Sequence, residues 1–128
     1  MLLPDREKSH ASIQLSQPRL KNLTPEDFAR LRPSMHHVDL AIKARLEIAY
    51  QPIEHVYFPE TGIASVVAAM TGGRQSEVGL IGYDGMTGIT VVLGQDRSPN
   101  ETYIQVASDG WSLPVEPLRI AIAESQSL

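Results

Sequence analysis

The stretch IASVVAAM (Ile63–Met70), TGGR (Thr71–Arg74) and QSEVGLI (Gln75–Ile81) decides the fold. The first segment consists mainly of alanine and β-branched residues, and β-branched residues favour a pleated, half-buried strand. The two glycines of the second segment supply the positive backbone angles that a tight turn needs. The third segment is long enough to pair back on the first. We therefore predict an antiparallel β-hairpin in the middle of the chain.

The segments before the hairpin also alternate with a period of two residues, which indicates strands with one buried face. The predicted buried residues are Val38, Leu40 and Ile42 in one strand and Leu46, Ile48 and Tyr50 in the next. A third strand, residues 55–58, ends at Pro59. Before these strands, Thr24 followed by Pro25 is a typical helix start, and Pro33 ends that helix, so residues 24–32 predict a short amphipathic helix.

Behind the hairpin the predicted elements are short. Residues 82–85 form a turn by composition, residues 89–93 form a strand or a short helix, and residues 102–107 form a strand. Ser108–Gly110 predicts another turn, and residues 111–113 predict a short strand. A final helix follows Pro114, and its predicted packing face consists of Val115, Leu118, Ile120 and Ile122.

Short strands separated by glycine-rich turns and flanked by helices favour a β-sandwich or barrel. The chain has 128 residues, which fits one domain. We expect a flexible N-terminal arm over residues 1–18 and a single β-domain over residues 19–128.

Three segments resemble the N-terminal sensor domain of Crp/Fnr-type transcription regulators, which is a cyclic-nucleotide-binding-like domain. Pro52–Ser65 is similar to its third and fourth strands, and Glu77–Gly88 to its turn into the phosphate-binding cassette. Arg97–Val106 lies where the arginine-bearing strand of the cassette is expected. The resemblance covers roughly residues 20–123. It implies an eight-stranded double-stranded β-helix (jelly-roll) with flanking short α-helices, a ligand pocket at the cassette, and a homodimer in the intact system.

The sequence departs from the family pattern at two cassette positions. Where cyclic-nucleotide binders carry a glutamate for the ribose, this chain has Ile89, and where they carry an arginine for the cyclic phosphate, it has Glu101. A carboxylate in the arginine's place would repel the phosphate, so we expect no binding of cAMP or cGMP. The candidate pocket suits an unidentified small-molecule effector, apolar or cationic, and consists of Gly85, Met86, Thr87, Gly88, Ile89, Glu101 and Thr102.

A third departure lies between Ala44 and Pro52, a segment that looks shorter than usual, which leaves the pairing of the second hairpin open. The family continues into a long helix and a DNA-reading helix-turn-helix, and neither is present in this chain. We therefore expect the chain to make no nucleic acid contact alone. Its net charge of −4, without a basic stripe, points the same way.

The composition excludes several other functions. There are no cysteines, which rules out disulfides, thiolate zinc sites and a cysteine nucleophile. No apolar run approaches a membrane span, and the N-terminus has no signal-peptide core, so we expect a cytoplasmic protein without membrane contact. No catalytic residue and no cofactor is predicted. Glu101 is considered for an ion pair with Arg97, although two solvated side chains are slightly favoured.

Two alternatives to a sensor domain stay open. One is an interaction module that binds no small molecule and acts through dimerisation. The other is a metal enzyme of the cupin kind, using His36 and His37 with His55 or His10. The cupin His-x-His spacing is absent, and adjacent histidines on a strand point to opposite faces, so metal ligation is the least favoured of these hypotheses.

Overall fold

The computed structural model of the chain describes residues 17–69 and 74–125. The predicted arm, residues 1–18, therefore lies almost entirely outside the described residues, and so does most of the turn of the predicted central hairpin.

In the described residues, two N-terminal helices are followed by seven strands and two further short helices. The helices are α1 (Pro18–Lys21), α2 (Pro25–Leu31), α3 (Ile89–Val92) and α4 (Val115–Glu124), and a 3-10 turn covers Arg32–Ser34. The strands are β1 (His36–Leu40), β2 (Arg45–Glu47), β3 (His55–Pro59), β4 (Ile63–Ala69), β5 (Gln75–Ile81), β6 (Asn100–Val106) and β7 (Ser108–Pro114).

The strands form two antiparallel sheets. One has the order β1-β7-β3, and the other has the order β2-β6-β4-β5. This arrangement confirms the predicted jelly-roll with flanking short helices. The described residues form seven strands, one fewer than the eight that the family resemblance implied.

The two strongest local predictions are confirmed. Strands β4 and β5 pair antiparallel from Ala64 opposite Ile81 to Ala69 opposite Gln75. Helix α2 begins after Thr24, whose Oγ1 accepts a hydrogen bond from the backbone N–H of Asp27 at 3.2 Å. Proline at the first helical position and a threonine cap therefore act as the sequence indicated.

The predicted buried face of the second strand is wrong. Strand β2 is three residues long, and its pairing with β6 shifts register between Arg45 and Glu47. Ile48 and Tyr50 are exposed, whereas Glu47 is buried. A bulge of this kind moves side chains to the opposite face of the strand, which simple alternation does not anticipate.

The predicted turn at Ser108–Gly110 is also wrong. These residues begin β7, which leaves the sheet of β6 after Ala107 and pairs with β1 and β3 in the other sheet. At Gly110 a Cβ atom would overlap the backbone of Phe58 and Pro59. The glycine therefore permits close strand approach within the sheet rather than a change of direction.

Two apolar residues assigned to buried faces are exposed. Ile42 lies beyond the end of β1, and Ile120 lies on the outer side of α4. Helix α4 instead buries Val115, Leu118 and Ala121, a spacing that keeps three residues on one face.

The main core joins the three-stranded sheet to the helices. Val56, Phe58, Trp111 and Leu113 of the sheet pack with buried residues of α1, α2 and α4. Val91 of α3 belongs to the same cluster, so the short helix behind the candidate cassette is fixed by the core.

Candidate functional site

Residues 85–89, here called the cassette turn, connect the end of β5 to α3. Thr87 is fully buried and holds the turn against β3 through two hydrogen bonds with Tyr57. The backbone N–H of Thr87 donates to the carbonyl of Tyr57, and the N–H of Tyr57 donates to the hydroxyl of Thr87, both at 2.9 Å. Because β3 is at the edge of its sheet, Thr87 takes the place of a neighbouring strand there and fixes the turn beside that edge.

Within the cassette turn, Gly88 has a φ of +70°, a conformation that residues with a Cβ atom rarely adopt. A Cβ atom on Gly88 would lie 2.6 Å from Cγ1 of Val56. The glycine therefore lets the turn approach β3 closely, and its backbone N–H is buried.

Glu47 is the charged group of this site. It is 9% exposed, and its carboxylate accepts a hydrogen bond from the backbone N–H of Gly88. Burial is the larger influence on Glu47 and raises the pKa of its carboxyl above the ordinary glutamate value, while the Gly88 hydrogen bond offsets part of this rise. In strand pairing, Glu47 lies opposite Thr102 of β6, which is also buried.

The arrangement places a carboxyl group of the protein itself on a backbone donor of the cassette turn. An exogenous anion that used the N–H of Gly88 would have to displace the carboxylate of Glu47. If it bound beside that carboxylate, two negative charges would share a site with little water, where their repulsion is large.

The predicted pocket residues do not all meet at this point. Gly88 and Thr102 meet Glu47, whereas Thr87 bonds to Tyr57 and the carbonyl of Gly85 accepts a hydrogen bond from the side chain of Gln17. Met86 and Ile89 instead line a separate cavity of about 250 Å³, whose lining includes neither Glu47 nor Gly88. We call the side of the turn at this cavity its outer side and the side at Glu47 its inner side.

Glu101 makes its contacts elsewhere. Because side chains alternate along a strand, Glu101 lies on the opposite face of β6 from the buried Thr102. Its carboxylate is 3.3 Å from Nε of Arg45 and accepts a hydrogen bond from Gln75 at 3.1 Å. The ion pair considered for Glu101 with Arg97 is therefore wrong, since Arg97 pairs with Asp96 at 3.1 Å.

Glu47 is the site residue that the sequence reading missed. Its alternation with Leu46 and Ile48 assigned it to the exposed face, and no local motif marks it. The one available signal was the tight segment between Ala44 and Pro52, which left the pairing of this hairpin open.

Two other features bear on the alternatives. The described residues, 17–69 and 74–125, contain no group of three or more histidines, aspartates or glutamates that could hold a metal ion. His10, one member of the metal hypothesis, lies outside them. Within the same ranges, no helix has the length and apolarity required to cross a bilayer.

The chain matches no family model and no curated protein, but it is similar to many solved structures. The sensor domain of the transcriptional regulator DNR from Pseudomonas aeruginosa is 14% identical with a TM-score of 0.73; the match covers 92% of this chain and 81% of that one. The Thermus thermophilus catabolite activator protein is 14% identical with a TM-score of 0.66, covering 80% and 48%.

A third neighbour is the regulatory subunit of a cAMP-independent protein kinase A from Trypanosoma cruzi, bound to guanosine. It is 13% identical with a TM-score of 0.76, and the match covers 91% of this chain and 42% of that one. This chain thus spans less than half the length of the activator protein and of the kinase subunit. It has the cyclic-nucleotide-binding-like fold that Crp/Fnr-type sensor domains share, as the sequence resemblance predicted.

Proposed function

We propose that this domain is a regulatory sensor of the Crp/Fnr kind whose cassette does not take up a cyclic nucleotide. The observation that carries the proposal is the carboxylate of Glu47 on the N–H of Gly88. The cassette turn already has an anion from its own chain, and that anion repels a cyclic phosphate.

Charge and burial together oppose a cyclic phosphate at this turn. Juxtaposing like charges in a site with little water costs several kcal/mol, which is enough to remove micromolar affinity. The departures at Ile89 and Glu101 also disfavour a cyclic nucleotide. The family resemblance implies a ribose-binding glutamate at the first position and a phosphate-binding arginine at the second, and this chain has neither there. A neighbour described as cAMP-independent and bound to guanosine, which carries no phosphate, supports a regulatory use of the fold without a cyclic phosphate.

The proposed output is a shift between two conformations. An effector that binds one conformation of the β-domain better than the other shifts their populations. The flanking helices then transmit the change to the rest of a dimeric, cytoplasmic regulator. In this scheme residues 19–128 form the sensor, which carries out no catalysis and reads no DNA alone.

Isothermal titration with cAMP and with cGMP tests the proposal. We expect no binding heat at sub-millimolar nucleotide. Clear micromolar binding of either compound would overturn the proposal, because the Glu47 carboxylate would then not exclude a cyclic phosphate from the turn. Guanosine serves as the matched control for the base and ribose without the phosphate.

A second candidate is an interaction module that acts through dimerisation and binds no effector. It is favoured by the exposed apolar side chains of α3 and the residue after it, Ile89, Val92 and Leu93, the last of which is 74% exposed. Sedimentation equilibrium tests it: under this candidate the mass rises with concentration, and Leu93→Glu abolishes the rise. A monomer at every concentration would rule it out.

A further inference from the structure

A half-open cavity of about 250 Å³ lies on the outer side of the cassette turn, between the turn and the helices. Nine of its eleven lining residues are apolar: Leu20, Leu23, Leu31, Phe58, Met86, Ile89, Val92, Leu118 and Ile122. They come from α1, α2, β3, α3 and α4 and from the loops beside them, so a molecule in the cavity would touch nearly every helix of the described chain.

The polar part of the lining consists of Arg19 and Asn22, and no acidic residue contributes to it. Arg19 is exposed, and within residues 17–69 and 74–125 its guanidinium has no ion-pair partner. An apolar chamber with one cation and one amide at its polar part is complementary to a molecule with an apolar body and one anionic end.

We propose that this cavity binds a small amphipathic carboxylate, of the class of medium-chain fatty acids. At the packing density of protein interiors, about 250 Å³ holds on the order of eight to ten carbon atoms. The chain of the ligand would lie among the leucines and Phe58, and its carboxylate would pair with Arg19 and accept a hydrogen bond from Asn22.

This site does not include Glu47 or Gly88, so it is separate from the inner side of the cassette turn. A carboxylate ligand in the cavity would lie near the cation of Arg19, whereas an anion on the inner side of the turn would lie near the carboxyl group of Glu47. The proposal therefore stands or fails independently of the cyclic-nucleotide result. It also gives the proposed sensor an effector class, because the ligand would bridge α1, α2 and α4.

Isothermal titration of the full chain with hexanoate, octanoate and decanoate tests the apolar part of the site. We expect the dissociation constant to fall by about fourfold for each added methylene until the cavity is filled. Decanol and decylamine test the charge, and both should bind more weakly than decanoate. Absence of decanoate binding at sub-millimolar concentration, or equal binding of decylamine, would overturn the proposal.

Three variants test the placement. Arg19→Gln should weaken decanoate by about fivefold and leave decanol unchanged, since an exposed ion pair contributes modestly. Arg119→Gln is the matched control, because Arg119 lies on α4 beside a neighbouring groove and does not line the cavity. Ile89→Trp should block the half-open cavity, and circular dichroism checks that it still folds. If Arg119→Gln weakens decanoate as much as Arg19→Gln does, the assigned site is wrong.

Discussion

Replacing Glu47 by glutamine tests whether a buried, ionised carboxylate faces the cassette turn at neutral pH. Glutamine keeps an acceptor oxygen for the N–H of Gly88 and removes the charge. Burial influences the pKa of Glu47 more than the Gly88 hydrogen bond does. The neutral side chain should therefore be tolerated better, and we expect Glu47→Gln to raise the free energy of unfolding at pH 7 by up to about 1 kcal/mol.

The matched variant is Glu47→Ala, which removes the acceptor together with the charge. The N–H of Gly88 then loses its partner in a buried site, which costs about 1–3 kcal/mol. The two variants should thus differ in sign, although both remove the same charge. A loss of stability in Glu47→Gln as large as that in Glu47→Ala would refute the idea that charge burial dominates here.

The pH dependence gives a second, independent test of the same carboxyl. A pKa that is higher in the folded than in the unfolded state means that the folded state binds the proton more tightly. The resulting stabilisation is complete below the ordinary glutamate value of 4.5 and is lost as the pH rises through the folded-state pKa. Wild type should therefore gain stability relative to Glu47→Gln as the pH falls from 7 towards 4.5.

Urea unfolding followed by tryptophan fluorescence measures these differences, because Trp111 is the one tryptophan and is buried in the main core. The comparison between wild type and variant cancels the other acids, including Asp109. Burial alone would raise the pKa of Asp109, but the hydrogen bonds from Thr61 and His37 have the larger combined effect. The pKa of Asp109 is therefore below the ordinary aspartate value. If wild type and Glu47→Gln show parallel pH profiles, the carboxyl of Glu47 is not buried as described.

Two further substitutions test how the cassette turn is held. Gly88→Ala introduces a Cβ atom 2.6 Å from Val56 at a φ of +70°, so we expect a loss of about 2–4 kcal/mol in urea unfolding. Gly94→Ala, at a φ of +90° with open space around it, should cost only about 1–2 kcal/mol; equal losses would contradict the contact with Val56. Thr87→Val leaves the N–H of Tyr57 without its side-chain acceptor and should lower the thermal midpoint through a loss of about 1–3 kcal/mol, whereas Thr87→Ser should restore most of it.

Much of the fold follows from local sequence signals. The hairpin of β4 and β5 follows from its β-branched run and paired glycines, and α2 from its threonine cap and proline. These features depend on neighbours within a few residues, so the sequence contains all the information needed. The segment Glu77–Gly88, by contrast, was predicted from its resemblance to the family's turn into the cassette rather than from local signals alone.

The errors lie where a residue's position depends on distant pairing. Ser108–Gly110 has the composition of a turn, but the strand continues because Gly110 fits against the backbone of Phe58 and Pro59. Ile42 belongs to an alternating pattern, but β1 ends at Leu40. In both cases the local pattern was read correctly, and the tertiary partner determined the outcome.

Glu47 shows why the ligand chemistry of this site could not be read from the cassette segment alone. Its side chain reaches Gly88, 41 positions further along the chain, because a register shift in β2 turns it inward. Without that shift it would face solvent, and the N–H of Gly88 would be left for an exogenous anion. Ile89 and Glu101 are the departures within the cassette motif, yet the group that bonds to the turn, Glu47, lies on β2. The charge at the cassette therefore depends on the strand that faces the cassette as well as on the cassette itself.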